Sequence, residues 1–218
     1  MNATQAKARS RHPEILKPSD EAIARAAALI DAGEIVAVPT ETVYGLAVDA
    51  ANEEAVQALY EAKGRPEDKP FVLQFGSVEA ALAWGRFEGS AARLAERFWP
   101  GPLTLIVPRP TDVKLASRVT SDGTTIGIRI PNNEAALALL RAANRPLAIT
   151  SANLSGEPGA RSVAEIAPSL KAHLGLILDG GPCPIGIAST VIDTTGSSLR
   201  ILRQGTLSAT EIEKALAS

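Results

Sequence analysis

The sequence has a single cysteine, Cys183, so it can form no disulfide within the chain and no cysteine metal cluster. Its two histidines, His12 and His173, leave little for histidine chemistry. A Ser-His-Asp triad would have to draw on His173, at the polar end of a helix, because His12 falls in the N-terminal tail. Long hydrophobic runs are missing: no stretch approaches the ~18 apolar residues of a membrane span. The N-terminus, MNATQAKARSRHPEILKPS, is polar and basic and has no apolar signal-peptide core, so a soluble, cytoplasmic protein is expected. Neither sign of charge dominates. Twenty-two basic residues stand against 24 acidic ones, a net charge of −2, which excludes a polycation held to nucleic acid by bulk charge but leaves a local basic site open. The GxxxxGK[ST] phosphate loop, the GxGxxG turn, HExxH and the GxSxG elbow are all absent. If this chain handles a nucleotide, it uses a different cradle.

What is present is an ordinary globular composition, 45% hydrophobic and 21% charged over 218 residues. Residues 1–13 read as a flexible tail, and 14–218 as one domain without repeat or linker. Helix and strand signals take turns along it. Ser19 caps a predicted helix over 20–32, Asn52 caps one that runs through Lys63, and Gly33 and Gly64 stop them. Further helices are expected near 78–84, 90–98 and 134–143. Another is expected from a Ser162/Glu165 capping box to about 173, and a last one after Ser208 and Glu211. Apolar runs at 35–38, 71–75, 103–107, 124–130, 146–150, 176–178, 189–193 and 198–203 read as strands. The last strands follow one another without helices between them. An α/β fold with a mixed sheet is therefore expected rather than an all-parallel one.

Five segments carry more polar chemistry than a scaffold needs. Pro39-Thr40-Glu41-Thr42-Val43-Tyr44-Gly45-Leu46 places hydroxyls at the end of a strand, where α/β proteins gather ligands, although a polar turn explains it equally well. In Lys63-Gly64-Arg65-Pro66, Lys63 lies seven residues after Val56, on the apolar stripe of its helix. Its ammonium should therefore run along the core side. Two cations so close suggest an anion site; a helix-dipole partner is the plainer alternative. In Thr125-Ile126-Gly127-Ile128-Arg129-Ile130, strand alternation sets Thr125, Gly127 and Arg129 on one face. That face is either a ligand floor or simply open to solvent. Thr150-Ser151-Ala152-Asn153 offers hydroxyl and amide groups after an apolar strand, or an Asx or Ser turn. Ser189-Thr190 and Arg203-Gln204-Gly205 add another hydroxyl pair and another arginine beside a glycine. Together these provide cations and hydroxyls with no convincing acid/base or metal-ligand cluster. That inventory suits a polyanion such as ATP bound beside a small polar substrate, with catalysis by positioning and charge stabilisation.

These segments, in this order, resemble the YrdC/Sua5 family, the threonylcarbamoyl-AMP synthases. The resemblance runs from about residue 15 to 207 through PTETVYGL, K-x-R at Lys63 and Arg65, WPGPLT, IGIRIP, S-x-N at Ser151 and Asn153, STVID and ILRQG. It departs at Gln74, where some family members have His, at Asn133, where many have His, and at Thr150, often Pro. The resemblance implies a YrdC-like twisted mixed sheet flanked by helices, with a concave, positively lined cavity, in the short single-domain form. It implies a nucleotidyltransferase that converts ATP, L-threonine and bicarbonate to L-threonylcarbamoyladenylate, pyrophosphate and water, the first step of t6A37 synthesis on tRNA. Carried over, Lys63 and Arg65 would hold phosphates and act catalytically, with Thr125, Ser151, Asn153 and Arg203 also on the ATP side. Thr40, Arg129 and Ser189 would hold threonine. Mg2+ would arrive with ATP, and no protein metal site is expected. tRNA and a downstream threonylcarbamoyl transferase complex are the further partners the resemblance raises. A non-catalytic relative that binds double-stranded RNA or tRNA is the competing reading.

Overall fold

A computed structural model of the chain describes residues 12–66, 69–121 and 123–217. Most of the expected tail therefore lies outside the described residues. The strands are β1 (Glu14–Leu16), β2 (Ile35–Val38), β3 (Gly45–Asp49), β4 (Val72–Gln74), β5 (Leu103–Pro108), β6 (Thr125–Arg129), β7 (Leu147–Ser151), β8 (Leu174–Leu178), β9 (Thr190–Asp193) and β10 (Arg200–Arg203). The helices are α1 (Asp20–Asp31), α2 (Glu53–Lys63), α3 (Val78–Leu82), α4 (Ser90–Phe98), α5 (Glu134–Ala143), α6 (Pro168–Lys171) and α7 (Ala209–Ala217). No helix among the described residues is long and apolar enough to cross a membrane.

Local chemistry sets the helix ends. The Ser19, Asn52 and Asn133 side chains accept from the amides of Ala22, Ala55 and Ala136 at 3.2, 3.0 and 3.1 Å, satisfying N–H groups that the first turn leaves unpaired. Gly64 closes α2 in the left-handed region, at φ 56°, where a side chain would be strained. Ser208 and Glu211 form the expected reciprocal cap at the start of α7. The Ser162/Glu165 cap does not form. The Ser162 side chain makes no cap bond, and the Glu165 carboxylate takes the amide of Arg161 at 2.8 Å instead. A short 3-10 turn, Val163–Glu165, stands there, and α6 begins only at Pro168, a residue without the N–H that a continuous helix would use.

The sheet is mixed, in the order β1-β8-β2-β3-β7-β4-β6-β5-β9-β10. Its β1·β8, β8·β2, β4·β6 and β5·β9 pairs are parallel and the other five antiparallel. Two of the strands are not among those expected. β3 is buried on both faces and opens with glycine, so it shows no alternation and hides behind the polar turn before it. β1 has only three residues and depends on its pairing with β8.

The two faces of the sheet are covered unequally. On one, Leu46, Leu73, Leu105, Ile128 and Ile192 join a core that includes α2, α4, α6 and α7 through Leu59, Leu94, Leu170 and Ile212. On the other, α1 and α5 bring Ile23, Ala26, Ile30, Leu139 and Leu140 against Val36, Val38, Ala47, Leu147, Ile149, Leu176 and Leu178. That second layer covers β8, β2, β3 and β7 and reaches Leu16 of β1 at the edge. Beyond β7 the same face continues with Val72, Gln74, Gly127, Arg129, Thr104, Ile106 and Val191, as the strand registers require. Val72, Ile106 and Val191 are only half-buried there. An uncovered half-face flanked by a helical layer is a ready-made concavity. Leu139, fully buried under that layer, provides a test of it: Leu139→Ala should cost about 2–5 kcal/mol of unfolding free energy in urea. A loss below ~1 kcal/mol would show that α5 is not locked onto the sheet.

Candidate active site

The loop between β2 and β3 is organised by Thr40. Its hydroxyl donates to Val43 O at 2.6 Å and accepts from the amides of Thr42 and Val43 at 3.1 and 3.2 Å. This hydroxyl turn holds Thr42 Oγ1 2.9 Å from Thr40 Oγ1. Thr42 in turn accepts from Arg129 Nη2 at 3.0 Å. Arg129 stands at the end of β6, 5% exposed, where a guanidinium cannot shed its charge. Its Nη2 lies 2.9 Å from Glu41 Oε1, and its Nε donates to Gly101 O at 3.2 Å. Glu41 is buried as well, and neither of its carboxylate oxygens has a hydrogen-bond partner; Arg129 is its counterion. Glu41 and Thr42 are thus functional groups that residue types alone did not single out, although both lie inside the hydroxyl-rich segment that did stand out.

Two further arginines converge on the same concavity. Arg65 leaves the C-terminus of α2, donates to Lys69 O and Pro70 O at 3.1 and 2.9 Å, and stacks 5.1 Å from the centre of the Phe71 ring. Arg203, at the end of β10, donates through Nε and Nη2 to the carbonyl and hydroxyl of Ser189, both at 3.1 Å. Ser189 Oγ also lies 2.9 Å from Thr104 Oγ1. Burial, and then the positive charges of Arg129 and Arg65, hold Arg203 below the ordinary arginine range. The three guanidiniums therefore feel one another.

They line an open cavity of about 620 Å³, solvent at its mouth included. Thr40, Arg65, Arg129, Ser151, Ser189 and Arg203, six of the predicted residues, are in its wall, with Thr42, Tyr44, Gln74 and Thr104. Burial raises the Tyr44 phenol far above its usual range, and its hydroxyl is engaged with Gly181 O at 2.8 Å. The buried Gln74 Oε1 has no partner. Among the described lining residues there is no histidine, carboxylate or lysine, and no group of three metal-ligating side chains occurs among the described residues.

The other three predicted residues are close by but outside the wall. Thr125 opens β6 on the same face as Gly127 and Arg129, opposite Pro108. Asn153 spends its amide N–H groups on Leu154 O and Glu157 O at 2.7 and 2.9 Å, and its Oδ1 is buried without a partner. Lys63 is 2% exposed, and its ammonium is turned to the carbonyls of Ser151 and Asn153. Burial, followed by the charge of Arg65, pushes its pKa down to about 7.

The chain is similar to known proteins over most of its length. The Sua5/YciO/YrdC family model, described as telomere recombination, matches residues 28–205. A threonylcarbamoyl-AMP synthase of Bacillus subtilis is 43% identical over 199 residues, 91% of this chain and 57% of that one. One from Pyrococcus abyssi is 42% identical over 193 residues, 88% of this chain and 56% of the relative. The chain thus spans little more than half the length of these two relatives. A mouse threonylcarbamoyl-AMP synthase is 37% identical over 194 residues, 85% of this chain and 67% of its own. Among solved structures, P. abyssi Sua5 complexed with L-threonine superposes with a TM-score of 0.87 at 39% identity, over 93% of this chain and 60% of that one. Escherichia coli YciO does so at 0.81 and 25% identity, over 91% and 98%.

Gly205 shows how tightly the Arg203–Ser189 side of the cavity is built. A Cβ there would sit 2.2 Å from Ala188 O and 2.5 Å from Ser189 O, backbone atoms that cannot swing aside. Gly205→Ala should therefore lower the unfolding free energy by about 1–3 kcal/mol. An unchanged urea midpoint would mean that the 188–189 backbone moves freely, against the arrangement described.

Proposed function

We propose that this chain, which belongs to the Sua5/YciO/YrdC family, synthesises L-threonylcarbamoyladenylate from ATP, L-threonine and bicarbonate. One observation carries the reading. Three guanidiniums and a set of hydroxyls converge on one cavity whose described lining holds no histidine, carboxylate or lysine. Such a site can do little by proton transfer through its own groups. It can hold a polyphosphate and an amino acid against each other and stabilise the negative charge that develops between them.

On this reading Arg129 pairs with the threonine carboxylate, the partner a planar guanidinium fits best. Thr40 and Ser189 complete the threonine side. The P. abyssi relative, solved as a complex with L-threonine, supports threonine as the amino acid. Arg65, Arg203 and Ser151 face the phosphates. Thr125 and Asn153, further along the same face and loop, extend the nucleotide side. The threonine amine adds to the carbon of bicarbonate, and water leaves, giving a carbamate. A carbamate oxygen then attacks the α-phosphorus of ATP, the bond to the β-phosphate oxygen breaks, and pyrophosphate departs. The described lining holds no carboxylate, and on this reading Mg2+ comes with the substrate as MgATP. The product would supply t6A37 formation on tRNA in the cytoplasm, through a downstream transferase.

The test is pyrophosphate release by the purified chain with MgATP and bicarbonate, with and without L-threonine. Release that depends on threonine and bicarbonate, with an adduct of the mass of threonylcarbamoyl-AMP, is expected. A folded protein that releases none and binds tRNA instead would replace this reading with an RNA-binding one. In the active enzyme, Ser189→Ala should raise the threonine KM several-fold more than the ATP KM. Equal increases would remove Ser189 from the threonine side.

A further inference from the structure

The two cations of the Lys63-Gly64-Arg65 turn part company. Lys63 is the last residue of α2, Gly64 turns the chain in the left-handed region at φ 56°, and Arg65 proceeds into the cavity wall. Lys63 goes elsewhere. Its ammonium donates to Ser151 O and to Asn153 O, each at 2.5 Å, and its own carbonyl accepts the amide of Ser155 at 3.0 Å. Three hydrogen bonds thus join this one residue to the loop that follows β7. Charge-assisted bonds of this kind are shorter and stronger than neutral ones. The peptide between Ser151 and Ala152 is pinned at its other end too, where the Ala152 amide donates to Tyr44 O at 2.8 Å. Its carbonyl is drawn to Lys63 and its N–H to the β2–β3 loop. The Ser151 side chain is left in the cavity wall, which Lys63 does not reach.

We propose that Lys63 is a positioning residue, acting on a bound nucleotide only through the 151–155 loop that its ammonium holds from behind. The proposal rests on the reading of the cavity as a nucleotide site and assigns phosphate contact within the Lys63-Gly64-Arg65 turn to Arg65 alone. The difference is chemical. A phosphate ligand discriminates among nucleotides by their phosphate count. A residue that merely presents Ser151 affects every nucleotide touching that loop alike.

Calorimetric titration of ATP, ADP and AMP into the wild type, Lys63→Met and Arg65→Met separates the two. Lys63→Met should weaken all three nucleotides by one common factor of ten or more. Arg65→Met should weaken them in order of phosphate number. Amide hydrogen exchange in the absence of nucleotide tests the loop directly. Residues 151–155 of Lys63→Met should exchange at least tenfold faster than in the wild type, with α1 and β2 unchanged. Should Lys63→Met fail to fold, Lys63→Gln, which retains a shorter neutral donor, enters both measurements with the same expected directions. A variant that loses ATP while keeping AMP overturns the proposal in favour of a phosphate contact, and unchanged exchange at 151–155 overturns it outright. A wild type that binds none of the nucleotides would sink the nucleotide reading. The exchange result would still decide whether Lys63 holds the loop.

Discussion

A guanidinium cannot be neutralised at any pH a protein meets, so burying Arg129 at the end of β6 commits everything around it. An unpaired charge there would cost far more than any single packing contact returns. Three groups from two segments answer that demand: Glu41 supplies the counter-charge, Thr42 a hydroxyl and Gly101 a carbonyl. The β2–β3 loop, the segment before β5 and the end of β6 are thereby tied at one point. The Thr40 hydroxyl turn keeps Thr42 in reach, so a loop that would otherwise be free becomes part of the cavity wall. Rigidity of this kind is what a site needs if it works by positioning.

The position of the cavity follows from the unequal cover of the sheet. α1 and α5 cover the half of the sheet from β1 to β7, and the layer they form ends beside β7. From there the strands continue with one face bare, carrying a glycine, an arginine, a glutamine and a threonine where core residues would otherwise stand. Gly127 is informative in this respect. Val72 Cγ2 and Ile106 Cδ1 would lie 3.6 and 3.2 Å from a Cβ at that position, so neighbouring side chains already lean across it. The floor is kept shallow by the absence of a side chain, and Arg129 rises at its end. The outer strands, β9 and β10, close the far wall by bringing Ser189 and Arg203 together.

Much of this was legible in the chain. The i+7 spacing from Val56 placed Lys63 on the inward side of its helix, and it is 2% exposed. Alternation put Thr125, Gly127 and Arg129 on one face, as the register has them. What eluded a linear reading is long-range. Nothing near Lys63 says that its ammonium meets carbonyls 88 and 90 residues away. Nothing near Arg129 says whether its face is solvated or half-covered, because that depends on where α1 and α5 stop. Glu41 reads as one polar residue among several until the arginine that needs it is found across the sheet. Gly205 reads as a turn residue, whereas its real constraint is the backbone of residues 188–189 pressed against it. The local failures have local causes: β3 lacks alternation because both its faces are buried, and Glu165 caps nothing because Arg161 N–H takes its carboxylate first.

The charges in the cavity bear directly on what it is for. Arg65 donates to the carbonyls of Lys69 and Pro70 and Arg203 to the carbonyl and hydroxyl of Ser189, while Arg129 faces the carboxylate of Glu41. Neutral acceptors orient a guanidinium without cancelling its charge. The depressed pKa of Arg203 records, after its burial, the repulsion of Arg129 and Arg65. A fold gains nothing from such repulsion. An anion placed between the guanidiniums would relieve it, which is what the proposed polyphosphate ligand would do. The carboxylate of Glu41 works in the other direction. By countering Arg129, it makes that end of the cavity less positive, and under the proposed function a zwitterionic amino acid and a polyanionic nucleotide would be drawn to different ends of one cavity.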